Sequence, residues 1–292
     1  MKKFLNIVLT VLLLAGCSAE ESAAQSDKKN CSMKVATYNL RMDTEKDGQN
    51  AWPNRKELVK ELIVKYDFDI FGTQEGFKHM LDGVSEIGSY TCFGGGREDG
   101  LDAGEHSAIF YKTARFTKLD GGNFWYSETP DQPGLGWDAT CCNRICSWLK
   151  LKDNLSGKEF FFFNSHFDHQ GVVARRESSH LLLKKIKEIA GSGFVLATGD
   201  FNATPESEPI KILLAGNLKD SRVLSKQEPQ GSIGTTNGFK ENPAMNNRID
   251  YIFVVDPMRV NTYKVINDKP NGRYTSDHFP VMAEVEFKVR SL

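Results

Sequence analysis

The alternation of apolar and polar segments along the chain predicts a protein with more strands than helices. Short runs of apolar and β-branched residues, each bounded by polar or glycine-containing segments, have the length and composition of buried strands. Strands of this kind need further layers of structure to cover their apolar faces. The runs cover residues 33–40, 68–71, 106–111, 145–151, 160–164, 194–198, 249–254 and 281–287.

Helical periodicity is evident in two segments, 54–66 and 174–190. Asn54 is a residue type that caps helices, and Gly191 is a typical helix stop. The strands and helices alternate without a simple βαβ rhythm. This order predicts an α/β fold in which mixed sheets pack face to face and helices lie outside, as a single domain over residues 33–292.

Two long loops interrupt this pattern. The first, 121–144, contains Trp125, Tyr126 and Trp137, and the second, 225–247, is rich in Gly, Asn and Gln. Long loops within a compact domain are often functional. The aromatic residues have two open interpretations: they stack on a base or a sugar, or they fix the loop to its own domain.

The N-terminus is separate from the predicted domain. Lys2 and Lys3 precede an apolar run at 7–15, which is too short for a transmembrane helix. A basic start followed by a short apolar stretch is typical of an export signal. Residues 1–17 are therefore interpreted as a signal peptide.

Residues 14–17, Leu-Ala-Gly-Cys, resemble the bacterial lipobox, in which the cysteine is acylated and becomes the new N-terminus. The alternative is ordinary signal cleavage beside an incidental Cys17. Residues 18–32 are small and polar and predict a flexible tether. Ser18, followed by residues 19–21 (Ala-Glu-Glu), indicates a lipoprotein outside the cytoplasm, at an outer membrane or the cell surface.

The charge balance argues against a general nucleic-acid binder. The chain has 37 basic and 38 acidic residues. Removing residues 1–17 takes away Lys2 and Lys3 and no acid, which leaves 35 basic and 38 acidic residues and a net charge of −3. Proteins that bind nucleic acid through its phosphates usually carry a basic excess. A local basic patch stays possible.

The cysteines do not form a recognisable zinc cluster. Of six cysteines, five remain after Cys17: Cys31, Cys92, Cys141, Cys142 and Cys146. Export permits disulfides, and an odd number leaves at least one cysteine unpaired within the chain. We expect most of them to be small buried apolar residues.

Polar residues capable of chemistry follow or precede many of the predicted strands. Each of them alone is typical of a turn or a helix cap. Strand ends along one edge of a sheet can, however, bring such residues into one pocket. The residues are Asn39, Glu75, His166, Asp168, Asp200, Asn202, Asp250, Asp277 and His278.

The composition of this set indicates the chemistry. Carboxylates without a cysteine or histidine cluster favour a hard cation, Mg²⁺ or Mn²⁺, over Zn²⁺. A histidine beside an aspartate suits proton transfer or charge stabilisation. The chain has no GxSxG, GxxxxGK[ST] or HExxH sequence, so serine hydrolases, P-loop proteins and zinc proteases lack support.

Six short motifs in order resemble the series of the endonuclease/exonuclease/phosphatase superfamily. The resemblance extends from residue 33 to residue 287. It implies a four-layered sandwich of two packed mixed β-sheets flanked by helices, with the site at one edge. The motifs are Thr37-Tyr38-Asn39-Leu40, Gly72-Thr73-Gln74-Glu75, Asn164-Ser165-His166, Gly199-Asp200-Phe201-Asn202, Arg248-Ile249-Asp250-Tyr251 and Ser276-Asp277-His278-Phe279-Pro280.

The resemblance also implies a metal site that takes Mg²⁺, with Mn²⁺ as a possible substitute. Glu75 would be the main ligand, assisted by Asn39 and Asp277. The schemes proposed for the superfamily use one metal or two, and the motifs fit both.

Roles for the other motif residues follow from the same resemblance. Asp200 would orient or deprotonate the attacking water, and Asn202 would hold the phosphate or that water. His278, paired with Asp250, would stabilise the developing charge or act as a base. His166 would face the scissile phosphate as a donor or an acid.

Two further residues are candidates for substrate binding. Arg144 could bind a phosphate because its planar fork of donors matches phosphate oxygens; the alternative is a surface ion pair. His106 lies where deoxyribonuclease-like members keep substrate contacts, although its surrounding sequence matches them loosely. Asp168 is an additional acid that the general scheme does not explain.

Together these features predict an exported, lipid-anchored, monomeric, Mg²⁺-dependent phosphoesterase. Its substrate would be a nucleic-acid fragment, a nucleotide, a sugar phosphate or a phospholipid headgroup. A non-catalytic binding module on the same fold is one alternative, but every expected metal position is filled. A sphingomyelinase-like phospholipase C is another. It would need an exposed aromatic hairpin for lipid insertion, and the acids Glu128, Asp131 and Asp138 of the 121–144 loop argue against one there.

Overall fold

The computed structural model describes residues 32–287. The predicted signal peptide with Cys17, and the tether up to residue 31, lie outside the described residues, so those predictions stay untested. Residues Met33–Phe287 belong to one compact unit. Within the described residues, no helix combines the length and the apolar character needed to cross a membrane.

Strands dominate the described part of the chain. The strands are β1 (Ser32–Asn39), β2 (Ile70–Gln74), β3 (Tyr90–Phe93), β4 (Ile109–Lys112), β5 (Phe116–Trp125), β6 (Ile145–Asp153), β7 (Glu159–His166), β8 (Phe194–Asp200), β9 (Leu218–Asp220), β10 (Asp250–Val255), β11 (Met258–Val265) and β12 (Val281–Phe287). The α-helices are α1 (Lys56–Tyr66), α2 (Lys78–Ser85), α3 (Val172–Ala190), α4 (Glu208–Ala215) and α5 (Ser221–Leu224). Short 3₁₀ helices cover Glu45–Asn50, Trp52–Asn54 and Pro270–Gly272.

The strands form two six-stranded sheets. The first has the order β11-β12-β1-β2-β4-β3 and the second β5-β6-β7-β8-β10-β9. The β1–β2 and β7–β8 pairs are parallel, whereas β2–β4, β6–β7 and β8–β10 are antiparallel. Both sheets are therefore mixed, as predicted.

The inner faces of the two sheets share one apolar core. Ile70 and Ile109 of the first sheet belong to the same buried cluster as Leu149, Phe160 and Leu196 of the second. All five side chains are fully shielded from solvent. Burial of this shared surface is the main force that holds the two sheets together.

Helices cover the two outer faces. Leu62 of α1 packs in a cluster with Phe71 of the first sheet. On the opposite side, Leu182 of α3 packs in a cluster with Phe163 and Phe253 of the second sheet. The result is the predicted four-layered sandwich of helices, sheet, sheet and helices. Because both faces of the central strands are covered, β2 is buried along its whole length.

The predicted helix over 54–66 is correct, but its predicted cap is wrong. The helix starts at Lys56, and Asn54 lies in the preceding 3₁₀ turn. Arg55 occupies the cap position, and its side chain makes no capping bond to the helix. Its buried guanidinium instead donates to backbone carbonyls of neighbouring segments, which explains why the chain places arginine here.

The predicted loop over 121–144 is partly wrong. Residues 121–125 belong to strand β5, which pairs with β6 as far as Trp125 and Ile145. The strand is hard to detect because its middle is polar, glycine-containing and exposed, with an irregularity between Lys118 and Asp120. Residues 126–144 and the second predicted loop, 225–247, contain no helix or strand.

One buried side chain ties the two sheets together by hydrogen bonds. Asn164 on β7 donates to the carbonyls of Thr73 (2.8 Å) and Ala108 (2.9 Å) in the first sheet. Its oxygen accepts from Gln74 Nε2 (2.7 Å) and Thr198 Oγ1 (3.0 Å). The amide thus uses both its donors and its acceptor across the sheet interface.

The close approach of Asn164 to the first sheet explains why residue 72 is glycine. A Cβ atom added to Gly72 would lie 2.1 Å from Asn164 Oδ1 and 2.5 Å from Thr198 Oγ1. No side chain fits there unless the sheets separate. The motif Gly72-Thr73-Gln74-Glu75 therefore begins with glycine for a packing reason.

We predict that Asn164→Ala destabilises the domain by about 3 kcal/mol, because it removes four buried hydrogen bonds and leaves their partners unpaired. Urea unfolding measures the change. Asn242→Ala, at an exposed loop position, is the matched control and should shift stability by less than about 0.5 kcal/mol. Equal stability of the two variants would contradict the role assigned to Asn164.

Candidate active site

Polar residues at the ends of central strands from both sheets converge at one edge of the sandwich. The strands run in register, so their ends lie side by side; Asp250 of β10, for example, pairs directly with Asp200 of β8. Asn39 ends β1, Glu75 follows β2, His166 ends β7, Asp200 ends β8, Asp250 begins β10, and Asp277 with His278 precedes β12.

Three residues at this edge have left-handed backbone conformations, which residues other than glycine rarely adopt. The φ angles are 57° at Arg41, 62° at Glu75 and 47° at Asn202. Each residue lies one or two positions beyond the end of a central strand. Strain of this kind is concentrated at functional sites, where it directs side chains toward a ligand.

These elements enclose a cleft of about 370 Å³. Its wall combines carboxylates, histidines and three arginines, which is the composition expected for an anionic ligand held with a cation. The lining residues are Arg41, Met42, Glu75, Arg97, Glu105, Cys142, Arg144, His166, His169, Asp200, Asn202, Asp277 and His278.

The Asp200 carboxylate lies at the centre of the polar network. Its Oδ2 accepts from Asn39 Nδ2 at 3.0 Å, and its Oδ1 accepts from the Asn202 backbone N–H at 2.9 Å. His166 Nε2 and His278 Nε2 lie 3.7 and 3.9 Å from the same Oδ2. The two histidines, 112 positions apart in the sequence, therefore meet at one carboxylate oxygen.

Asp200 is poised to exchange a proton near neutrality. Burial raises its pKa to about 7, and the negative charge of Asp250 raises it as well, while His278 opposes the shift. A carboxylate with a pKa near the working pH is suited to general base catalysis.

His278 and His166 carry different charges. Burial alone would lower the pKa of His278, but the carboxylate of Asp250, 2.9 Å from Nδ1, and the charge of Asp200 hold it well above its usual value. Burial lowers the pKa of His166, and the nearby Arg144 and Arg97 lower it further. The site thus pairs a protonated His278 with a neutral His166.

Glu75 is kept ionised by its neighbours. Burial alone would raise its pKa, but the positive charge of His278 and hydrogen bonds from Met42 N–H (3.0 Å) and Asn39 Nδ2 (2.9 Å) lower it. An ionised carboxylate is the form that binds a metal.

The Asn39 amide presents its nitrogen, and not the oxygen that would bind a metal, to the carboxylates of the site. Its Nδ2 faces the carboxylates of Glu75 and Asp200, and its Oδ1 accepts from the Arg41 backbone N–H at 2.9 Å. The amide therefore holds the two carboxylates in place. Rotating it to present oxygen would break the bond to Arg41.

The donor set fits a divalent cation that prefers oxygen. Within the described residues, ligand atoms of Glu75, His166 and Asp200 lie within 4.8 Å of one another, and so do those of Asp200, Asp250 and His278. Asp277 adds a further carboxylate; burial and the charge of Glu75 raise its pKa. A carboxylate-rich cluster is characteristic of Mg²⁺ and Mn²⁺ sites.

Arg144 is not in a surface ion pair. Its side chain is 5% exposed and lines the cleft. Nη2 lies 2.8 Å from His169 Nδ1, Nε donates to Asp168 at 3.5 Å, and Nη1 is buried without a partner among the described residues. Arg144 therefore lies in the wall of the cleft with one donor unpaired, which is rare for a buried group.

Asp168, to which the family resemblance gives no role, accepts a hydrogen bond from Arg144. It also accepts from the backbone N–H groups of Gln170 (2.8 Å) and Gly171 (2.5 Å), which fixes the turn that leads into α3. His169 lies on this turn and reaches the cleft. Asp168 is thus a positioning residue for both Arg144 and His169.

His106 does not join the other candidates in the cleft. It is buried, its Nδ1 lies 3.1 Å from the carbonyl of Gly76, and it lines a narrow void behind Arg144 and His166. Its neighbour Glu105 does line the cleft and pairs with Arg97 at 2.7 Å. Glu105 directly precedes the predicted strand 106–111, so its place before a strand was the available signal, whereas no strand or motif surrounds Arg97.

The aromatic residues of the long loop fix it to its own domain. Trp125 and Tyr126 are buried, and Trp125 Nε1 donates to the carbonyl of Arg97 at 2.7 Å. Trp137 packs against the cluster under α3. The stacking interpretation is therefore wrong for Trp125 and Tyr126, whereas Trp137 is only partly buried.

The cysteines differ from the expectation at one point. Cys146 is buried and Cys92 partly buried, as expected, but the adjacent Cys141 and Cys142 form a disulfide. Cys142 lies on the rim of the cleft. Cys31 lies outside the described residues.

Comparison with known proteins identifies a matching family. Residues 36–278 match the sequence profile described as "Endonuclease/Exonuclease/phosphatase family". The matched segment contains every strand-end residue of the cleft.

Solved structures from Bacteroides thetaiotaomicron are similar over nearly the whole domain. One is an endonuclease/exonuclease/phosphatase family protein with 40% identity and a TM-score of 0.84, covering 88% of this chain and 98% of that one. Another is a mannosyl-6-phosphatase with 40% identity and a TM-score of 0.83, covering 87% of this chain and 100% of that one. Carbon catabolite repressor protein 4 homolog 4 of Arabidopsis thaliana is 28% identical over 308 residues, which cover 81% of this chain and 71% of that protein.

We predict that His278→Ala and His166→Ala each lower turnover by roughly 100-fold or more with little change in melting temperature. Both side chains line a cleft at the sheet edge and belong to none of the apolar clusters. His278→Ala should be the more damaging, because Asp250 holds its ring in one orientation.

His180→Ala, on the exposed face of α3, is the matched control and should behave like the wild type. Turnover and thermal unfolding are measured on the same preparations. Stability losses proportionate to activity losses, or normal turnover in either site variant, would contradict the assignment.

Proposed function

The chain belongs to the endonuclease/exonuclease/phosphatase family, whose members act on phosphate esters, and on that premise we propose that it is a divalent-cation-dependent phosphatase of sugar phosphates. The bond cleaved would be the phosphomonoester of a small polyhydroxy alcohol. The cation would be Mg²⁺, with Mn²⁺ able to replace it.

The composition of the cleft wall is the observation that carries this proposal. The wall has three arginines, Arg41, Arg97 and Arg144, and no Phe, Tyr or Trp among its described residues. Proteins that bind single-stranded nucleic acid hold bases by stacking them on aromatic side chains. A compact polar cleft that combines arginines with carboxylates and lacks such a surface suits a phosphate on a polar alcohol better than a nucleotide chain.

The similarity to a mannosyl-6-phosphatase supports the same choice. That protein is covered over its full length at 40% identity. Carbon catabolite repressor protein 4 homolog 4 is less similar to this chain, at 28% identity. The net charge of the predicted mature chain, −3, also disfavours a polyanionic substrate.

The residues of the cleft can carry out hydrolysis by direct attack of water on phosphorus. Asp200, with a pKa of about 7, orients the water and accepts its proton as the new oxygen–phosphorus bond forms. Asn202, beside Asp200, helps to hold that water. The ester oxygen–phosphorus bond then breaks, protonated His278 gives its proton to the leaving oxygen, and the alcohol and inorganic phosphate are released.

The remaining polar groups stabilise the charge that develops on the phosphate. His278, kept protonated by Asp250, and the guanidinium of Arg144, which lines the cleft, donate to phosphate oxygens, and neutral His166 offers one ring N–H. A divalent cation held by Glu75 with Asp277 would neutralise further negative charge. Loss of one such donor typically costs about 100- to 1000-fold in rate.

We predict that the protein releases phosphate from hexose 6-phosphates in Mg²⁺ at least about tenfold more efficiently than it cleaves bis(p-nitrophenyl) phosphate, oligoadenylate or sphingomyelin. EDTA should abolish the activity. Phosphate release and product chromatography across this panel measure both. Full activity in EDTA, or faster cleavage of oligoadenylate, would contradict the proposal.

A variant of Glu75 tests the proposed cation site directly. Glu75→Gln should weaken Mg²⁺ binding in calorimetry by roughly tenfold or more, because it removes one charge without changing shape. Glu241→Gln, at an exposed loop position, should bind Mg²⁺ as the wild type does. Equal affinities in all three proteins would exclude Glu75 as a ligand.

Export and lipid anchoring are proposed from the sequence alone. The signal-like residues 1–17 and the lipobox-like sequence that ends at Cys17 support them. An enzyme tethered outside the cytoplasm would act on sugar phosphates that reach the cell from outside.

We predict that the wild-type protein partitions with membranes and that Cys17→Ala releases it from them. Fractionation of a Gram-negative host, followed by immunoblotting, measures the partition. Cys31→Ala, which alters a cysteine beyond the signal peptide, is the control and should stay membrane-bound. A membrane-bound Cys17→Ala variant would show that the anchor is not at this residue.

A further inference from the structure

A second pocket, of about 320 Å³, opens beside the cleft and shares two of its residues. Asp277 and His278 line both cavities. The rest of the second pocket is built by the loop 236–247, which includes Thr236, Lys240, Asn246 and Asn247. We call this cavity the loop pocket. A molecule whose phosphate occupies the cleft has space to extend past His278 into the loop pocket.

The loop is fixed to the catalytic segment by backbone hydrogen bonds. The N–H groups of Asn237 and Gly238 both donate to the carbonyl of Asp277, at 2.7 and 3.0 Å. The Asn237 side chain also donates to the carbonyl of Ser276 at 3.0 Å. Whatever binds in the loop pocket is therefore held at a set distance from His278.

Arg55 packs against Phe239, a residue of the loop, and so holds the loop against the domain. The Arg55 guanidinium lies 5.4 Å from the centre of the Phe239 ring, and the Phe239 backbone N–H donates to Asn237 Oδ1 at 2.8 Å. Arg55 is itself buried and bonded to several backbone carbonyls. These contacts attach residues 237–239 of the loop to the body of the domain.

The wall of the loop pocket matches a polyhydroxy compound. The Asn246 side chain and the Lys240 ammonium make no hydrogen bond to other described residues, and Asn247 makes one long bond to Thr236 Oγ1, at 3.4 Å. Amides both donate and accept, which is the pairing that sugar hydroxyls require. None of the described lining residues is aromatic, so a base has no stacking surface here.

We propose that the loop pocket binds the sugar part of the substrate and that Asn246 and Lys240 determine its specificity. This inference rests on the proposed phosphatase function. The phosphate lies in the cleft, the ester oxygen lies beside His278, and the sugar ring lies against the 236–247 loop. The enzyme then distinguishes a sugar phosphate from other monoesters by its hydroxyl groups.

The test compares two monoesters, mannose 6-phosphate and phenyl phosphate, which lacks sugar hydroxyls. Asn246→Ala and Lys240→Ala should each lower kcat/KM for mannose 6-phosphate about tenfold, mainly through KM, because hydrogen bonds to the sugar are lost. Hydrolysis of phenyl phosphate should change by less than about twofold. Asn242→Ala, an exposed amide of the same loop outside the pocket wall, should leave both substrates unaffected.

The outcomes separate this inference from the function on which it rests. If the wild type hydrolyses mannose 6-phosphate but the two pocket variants lose nothing, or lose equally on both substrates, the sugar site is elsewhere. If the wild type hydrolyses no sugar phosphate, the proposed function and the inference both fall. Thermal unfolding of each variant shows whether a general loss reflects a damaged fold.

Discussion

The geometry of the active site depends on one buried amide that joins the two sheets. Asn164 bonds to Thr73 and Gln74 of the first sheet, and Glu75 is the residue that directly follows that strand. On its own strand, Asn164 lies two positions before His166. The bridge therefore sets the distance between a carboxylate from one sheet and a histidine from the other, which apolar packing alone would leave adjustable.

This geometry forces like charges together, and the protein compensates for it in specific ways. Asp200, Asp250, Glu75 and Asp277 crowd one edge, and burial raises the pKa of Asp200 to about 7. Asn39 donates to two of the carboxylates, and protonated His278 lies among them. A bound cation would relieve the remaining repulsion, so the arrangement that favours cation binding also prepares the proton acceptor.

Much of the fold and of the site could be predicted from the sequence because buried strands and their polar ends leave local patterns. Eight of the twelve described strands, the order of the motifs and the meeting of His166 and His278 follow from these patterns, whereas no predicted run covers β3, β5, β9 or β11. Strand β5 has an exposed polar middle and gives no such signal. Arg97 and Glu105 reach the cleft from irregular backbone, and the loop pocket depends on tertiary hydrogen bonds, so neither leaves a local pattern in the sequence.

The central claim is that one cleft, formed jointly by both sheets, binds a divalent cation and the phosphate of a sugar monoester. The most direct measurement is anomalous diffraction from crystals soaked with Mn²⁺ and mannose 6-phosphate. The account predicts a manganese peak at Glu75, phosphate density against Arg144 and His278, and sugar density along the 236–247 loop. A cation bound away from Glu75, or a phosphate outside this cleft, would contradict it.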